Sequence, residues 1–256
     1  MDISDGFYVR SGSRPSFTSV NSFARHRSAM RTLGRIVRNQ AVMQRSLKSE
    51  LLDGDGIPEA QIARAYRQLT RIHRLLGDTR AIIAAVREDP LPVGCVLDIG
   101  CGRGGVLKEV QRRLGVQAIG VDLKPPPAAD GPQIIAANGI SDRLPAADVA
   151  FCMYLGHHLC EGDLRQLIRN VGRSCRRFLL LDLVRHPLPL TMFKMFMAPL
   201  VCNLVATDGQ LSIRRSYTPV ELLRIAREAL AGTRAHIRHS TSPLYIRQIL
   251  DITYRP

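Results

Sequence analysis

At 256 residues, 45% hydrophobic and 23% charged, the chain is long enough for one substantial domain with a cap, or for two small ones, in an ordinary soluble globular class. The lack of Trp and an aromatic content of 5% argue against an aromatic stacking platform for single-stranded nucleic acid. A net charge of +14 and a pI near 10.3 leave two readings, a solvated basic surface or a site for a polyanion or anionic membrane; the excess is nearly all arginine and scattered, which favours the first.

Residues 1–50 carry nine Lys/Arg against three Asp/Glu, and apolar positions lack a period up to about Met30. Residues 1–42 are therefore read as a basic, disordered extension, able at most to touch a polyanion or membrane surface weakly. Its Arg/Ser bias is similar to that of an organelle-targeting peptide, but Asp2 and Asp5 oppose that reading. A basic tail, or a true start at Met43, is the simpler account. No apolar stretch follows the basic N-terminal residues, so no secretory signal is read. Cys95, Cys101, Cys152, Cys160, Cys175 and Cys202 form no Cys-x-x-Cys pair or zinc spacing, and several sit in apolar runs, as reduced thiols of a cytoplasmic protein do.

From Met43 the pattern turns helical. Ile62, Tyr66, Leu69, Ile72 and Leu76 recur at three- and four-residue steps, Gly77-Asp78 breaks the helix, and a short helix over 79–87 ends before Pro90. Residues 43–90 are thus expected to be a helical cap, and 91–256 the main domain. In that domain strands are predicted at 95–99, 117–121, 133–136, 148–154, 178–184, 235–239 and 244–252, and helices at 104–114, 161–173 and 219–229. Strands alternating with helices predict an α/β fold with a parallel sheet covered on both faces. The last two strands are joined too tightly for a parallel crossover, so they should make an antiparallel hairpin at one edge. The expected fold is a Rossmann-like, seven-stranded, mostly parallel sheet with one antiparallel edge strand.

Val96 to Gly105 reads as strand, tight glycine turn and helix start. Gly100 and Gly102 let backbone approach a ligand closely, and Gly104 permits close packing as the helix begins. A lone Gly-x-Gly-x-x-Gly is shared by many loops, but two carboxylates sharpen it here. Asp98 precedes the first glycine by two residues, where it can accept from a ligand ammonium. Asp122 ends the second strand 24 residues on, the spacing at which a carboxylate receives both ribose hydroxyls. A carboxylate in the glycine turn repels dinucleotide phosphates and suits a sulfonium amino acid, which points to S-adenosylmethionine over NAD.

The stretch from Val96 to Asp122, with the strand ending in Leu155-Gly156-His157-His158-Leu159, resembles the class I S-adenosylmethionine-dependent methyltransferases over residues 94–252. Upstream Ser49-Glu50-Leu51-Leu52-Asp53 and Ile72-His73-Arg74-Leu75-Leu76-Gly77, and downstream Asp208-Gly209-Gln210-Leu211-Ser212-Ile213-Arg214-Arg215, are similar to a bacterial small-molecule branch often encoded beside type III polyketide synthases. The resemblance implies that Asp98, Gly100, Gly102 and Gly104, with Cys101, hold the methionine end of the cofactor. It likewise implies Asp122 and Leu123 at the ribose, Tyr154 at the end of the fourth strand, and Asn138 or Asp142 at the adenine amine. Residues 123–132, with four prolines, are too short for the usual crossover helix, a departure that puts the adenine pocket in doubt.

The fourth strand lacks both the Asn/Asp-Pro-Pro-aromatic motif of adenine N6 enzymes and the Pro-Cys of pyrimidine C5 enzymes. His157 or His158 could instead be a general base for a phenol or enol, or simply pack at the turn. A metal held by His157, His158 and Cys160 is not expected, since adjacent side chains rarely converge on one ion. Residues 187–210 are an apolar insertion rich in Met and Phe. Met192, Phe193 and Phe196 suit a lid over a lipophilic substrate, and the prolines and Lys194 oppose a membrane span. Arg214, Arg215 and Tyr217 could face the substrate, or the arginines could be plain surface. The sequence thus predicts methyl transfer to oxygen, or in second place carbon, of a hydrophobic small molecule such as an aromatic polyketide or quinone-like metabolite. An RNA methyltransferase and a non-catalytic S-adenosylmethionine-binding module are the alternatives.

Overall fold

A computed structural model describes residues 43–54, 56–125 and 131–254. The basic extension expected over residues 1–42 lies outside the described residues.

Two helices lead in, α1 (Glu59–Leu76) and α2 (Asp78–Arg87), joined at Gly77, whose left-handed φ of 73° ends the first helix. The main domain follows as β1 (Cys95–Ile99), α3 (Gly105–Leu114), β2 (Gln117–Asp122), β3 (Gln133–Ala136), β4 (Ala147–Met153), α4 (Glu161–Val171) and β5 (Cys175–Leu183). It continues through α5 (Pro187–Met192), α6 (Asn203–Arg215), α7 (Pro219–Ala229), β6 (His236–Thr241) and β7 (Arg247–Thr253). The sheet has seven strands in the order β3-β2-β1-β4-β5-β7-β6. β1 through β5 pair in parallel, while β7 runs antiparallel to both β5 and β6. The hairpin therefore forms as expected, and the reversed strand lies one place in from the edge, with β6 outermost.

Period-2 alternation divides the apolar side chains between the two faces. Leu97, Ile99, Phe178 and Leu180 pack beneath α4 and α7 with Leu164, Leu167, Leu222 and Ile225. Val96, Phe151, Leu179 and Leu181 pack on the other face with Ile82 and Val86 of α2 and Leu107 and Val110 of α3. Burial on both faces is why the central strands are nearly continuous hydrophobic runs. The helical cap closes on a separate cluster, in which Ala65 and Ile72 of α1 meet Val205 of α6.

Helix boundaries follow the local chemistry. α7 begins where Thr218 and Glu221 form a capping box with Pro219 in the first turn. β7 starts at Arg247 rather than 244, because Pro243–Tyr245 forms a tight turn in which Leu244 and Tyr245 take φ of 62° and 55°. The apolar insertion is mostly helical: α5, a π turn at Phe193–Met197, a 3-10 turn at Ala198–Leu200, and, after extended Val201 and Cys202, α6. All six cysteines are free; Cys152 and Cys175 are buried and Cys160 is exposed. Among the described residues no helix is long and apolar enough to cross a membrane.

Candidate active site

The strand order reverses between β1 and β4, and open α/β sheets bind ligands beyond the carboxyl ends of the strands at such a point. The glycine turn sits there. Gly100 and Gly102 take φ of 73° and 54°, left-handed values that admit glycine without strain. A Cβ on Gly102 would project into open space, so this stretch of backbone is bare toward the cavity. Gly104 serves packing, since a Cβ there would stand 3.0 Å from Ile134 of β3.

Asp122 braces the turn. Its Oδ2 accepts the Gly102 N–H at 2.8 Å and its Oδ1 accepts the Lys124 N–H at 2.9 Å, leaving lone pairs for two further donors. Asp98 lies beneath the turn at 3% exposure rather than on the cavity wall. Burial first, and then the charge of Asp122, push its carboxyl up to about 8. A cation arriving above it would reverse that shift.

A cavity of about 790 Å³ opens from this turn, within the range of roughly 300–1,000 Å³ for small-molecule sites. One end is lined by Gly100, Gly102, Asp122, Leu123 and the loop from Ala137 to Ile140. Asn138 is on the wall and Asp142 is not. Asp142 accepts the Asn138 N–H at 2.8 Å, and Asn138 Oδ1 accepts the Ile140 N–H at 2.9 Å, so the pair shapes the loop. Cys101 also turns away from the cavity and packs against Gly120 of β2.

Tyr154, just past β4, lines the cavity with a φ of 57°. It is fixed in that conformation by stacking on His73 (4.3 Å between centroids) and by donating its hydroxyl to buried Asp78 at 2.5 Å. Beyond it the chain makes a 3-10 turn, Gly156–His158, that presents both histidines. His157 is buried, with Nδ1 at 2.6 Å from Asp182 Oδ1 and Nε2 at 3.4 Å from Glu50 Oε1. Burial lowers its pKa, but the charge and hydrogen bond of Asp182, and then Glu50, outweigh burial and raise it to about 9. His158 is more open, with Nδ1 at 3.1 Å from Asp53 Oδ2. Its pKa falls, through burial and then the neighbouring His157 charge. The two rings thus differ, and His157 is held as an imidazolium between carboxylates rather than as a free base.

The sequence singled out the two histidines for chemistry but not the carboxylates that surround them, Glu50, Asp53 and Asp182. Residues 43–54 lie along the site, tied by Arg45, which donates to the carbonyls of Arg215, His157 and Leu159. Asp208 of α6 accepts the Leu51 and Leu52 N–H groups at 2.8 and 2.9 Å, fixing the 3-10 turn Leu51–Asp53 that delivers Glu50 and Asp53. The Glu50-to-Asp53 and Asp208-to-Arg215 stretches stood out only by resemblance; Asp182, at the end of an apolar strand, carried no distinguishing signal.

At the far end, Met192, Phe193, Phe196 and Met197 line the cavity, as a lid over a lipophilic ligand requires. Arg215 is on the wall, directed to the His157 and His158 carbonyls and to Asp53. Arg214 is exposed and Tyr217 is a buried brace, its hydroxyl donating to the Leu159 carbonyl at 2.8 Å. Neither lines the cavity, because adjacent residues on α6 point about 100° apart, which turns Arg214 outward, and Tyr217 lies past the helix end. Cys160, considered above as a metal ligand, instead caps α4 by accepting the Asp163 N–H.

Residues 96–177 match the family described as a methyltransferase domain. A probable chloroplastic tocopherol O-methyltransferase from Oryza sativa subsp. japonica is 25% identical over 114 residues, which cover 39% of this chain and 31% of that protein. The chain thus spans under a third of the length of this curated relative. Among solved structures, the plantazolicin methyltransferase BpumL in complex with SAH superposes with a TM-score of 0.62 at 13% identity, covering 80% of this chain and 93% of that one. A putative O-methyltransferase from Nostoc punctiforme gives 0.53 at 15% identity, covering 92% and 69%. Residues 96–177 thus match a methyltransferase domain, and the chain as a whole shares the fold of these solved structures.

Proposed function

We propose that the protein transfers a methyl group from S-adenosylmethionine to an oxygen, or in second place a carbon, of a hydrophobic small molecule such as an aromatic polyketide or quinone-like metabolite. One observation carries this reading: a single cavity runs from the glycine turn to the Met/Phe lid and ends at the histidine cluster. The residues present fit the cofactor. Bare backbone at Gly100 and Gly102 leaves room for the methionine end, Asp122 has capacity left for ribose hydroxyls, and the loop from Ala137 to Ile140 forms an apolar edge for the adenine. When bound, S-adenosylmethionine supplies a methyl group already activated on sulfonium.

The chain's own residues then position and seclude. Asp98 meets the positive charge of the methionine end, from beneath the turn. Tyr154 and Leu155, between β4 and the histidine turn, line the same cavity. Met192, Phe193, Phe196 and Met197 bury the acceptor's apolar body and exclude water, and Arg215 with the histidine cluster receives its oxygen. Names of the relatives support this reading for acceptor class: tocopherol and plantazolicin are acceptors named for proteins with which this chain shares sequence or fold. The test offers methyl-labelled S-adenosylmethionine with lipid and phenolic extracts, and identifies the labelled product by mass.

A further inference from the structure

We infer that Glu50, His157 and His158 form a three-ligand site for a divalent transition-metal ion of the zinc class, open on one side toward the acceptor chamber. Their ligand atoms lie within 4.8 Å of one another, and all three residues line the cavity. His157 Nε2 stands 3.4 Å from Glu50 Oε1, and His158 Nε2 stands 3.8 Å from Glu50 Oε2. Both separations exceed an ordinary N–H···O hydrogen bond of roughly 2.7–3.2 Å. Ligand bonds of about 2.0–2.1 Å at tetrahedral angles place donor atoms about 3.3 Å apart, which the His157–Glu50 gap matches, while His158 would close in by about half an ångström.

The outer contacts are arranged in the same sense. His157 Nδ1 bonds Asp182 and His158 Nδ1 bonds Asp53, which in each ring turns Nε2 toward Glu50, and an ion bound there would displace the Nε2 proton that His157 carries in the free protein. Glu50 Oε1 accepts the Ser212 hydroxyl at 2.8 Å. Each ligand therefore has its own orienting partner, the carboxylate–histidine arrangement that fixes tautomer and ring direction at metal centres. Two imidazoles and one carboxylate with an open side suit a borderline divalent ion that binds a reacting group, not a closed structural site.

The ion's role rests on the proposed function: at the acceptor end it would polarise a hydroxyl there. The O–H proton leaves to water, the oxygen's electron pair forms the bond to the methyl carbon, and the C–S pair departs with sulfur. Sequence reasoning missed the site because Glu50 comes from a different part of the chain from the two histidines.

The test uses the full chain, stripped with a chelator and titrated with Zn²⁺ by calorimetry and with Co²⁺ by visible absorption. One ion per chain is expected, with a cobalt spectrum of low coordination number. Glu50→Gln should weaken binding at least about a hundredfold, and Asp53→Asn, acting through the His158 ring, about tenfold. His158→Gln, at a partly open position, repeats the first test should Glu50→Gln fail to fold. Binding absent from the wild type, or unchanged in Glu50→Gln and His158→Gln, overturns the site. Ion binding without methyl transfer would uphold the site and remove the proposed reaction; methyl transfer by a protein that binds no ion would do the reverse.

Discussion

Asp122 is the residue whose replacement should most cleanly separate a cofactor site from a merely structural glycine turn. In the free protein it already accepts two backbone N–H groups, from Gly102 and Lys124. Two ribose hydroxyls would add charge-assisted bonds worth about 1.5–3 kcal/mol each. Asp122→Ala loses both, so affinity should fall by roughly a hundredfold to ten-thousandfold. Asp122→Asn keeps one acceptor oxygen without the charge, and a loss of about ten- to a hundredfold is expected. Calorimetric titration with S-adenosylhomocysteine reads both, and circular dichroism melting checks that the turn still folds. Affinities within about threefold of wild type in both variants would refute the assignment of β2's terminal carboxylate to the ribose.

Four further outcomes follow from particular contacts. The Asp98 carboxyl sits near 8 in the free protein, and its charged form is the one a cationic ligand favours, so affinity should climb with pH toward about 8 and then level. Asp98→Asn should lack that climb; the same slope in both proteins would contradict the role. Since its value is raised on folding, the free protein should lose stability as pH rises from about 4 to about 8, and Asp98→Asn should flatten that trend in a melting series. Gly156→Ala places a Cβ 2.7 Å from Asp182 Oδ2, crowding a buried carboxylate that bonds both the ring and the N–H of His157. A loss of about 1–3 kcal/mol is expected, with a fall in turnover larger than the fall in cofactor affinity; unchanged turnover would argue against the cluster's role. Gly209→Ala drives a Cβ against the Phe193 ring from α6, so the acceptor KM should rise severalfold while cofactor affinity stays within about threefold. An unchanged KM would mean that Phe193 does not bound the acceptor.

The sheet was legible because its strands are buried on both faces and so appear as short apolar runs between helical periods. β1, β3 and α7 have the predicted bounds, while β5 begins earlier, at Cys175, because Arg176 and Arg177 interrupt the apolar run. Arg177 is nonetheless buried, paired with Asp251 and Asp89. The glycine-turn end of the cavity was equally legible, since a glycine turn and two carboxylates at strand ends are local patterns. The histidine end was not. Its cluster joins Glu50 and Asp53 from the segment before α1, Asp182 from β5 and two histidines after β4, and no short-range period records such an encounter. The same distance effect separates Arg215 from Arg214: helical geometry, rather than residue type, decides which of two adjacent arginines faces the cavity.

The most direct measurement gives the purified protein methyl-labelled S-adenosylmethionine together with total RNA and, in parallel, a lipid and phenolic extract. Label should partition into organic solvent, be absent from the RNA, and be lost in Asp122→Ala. Label retained on RNA, or no transfer to any acceptor by a protein that still binds the cofactor, would contradict it.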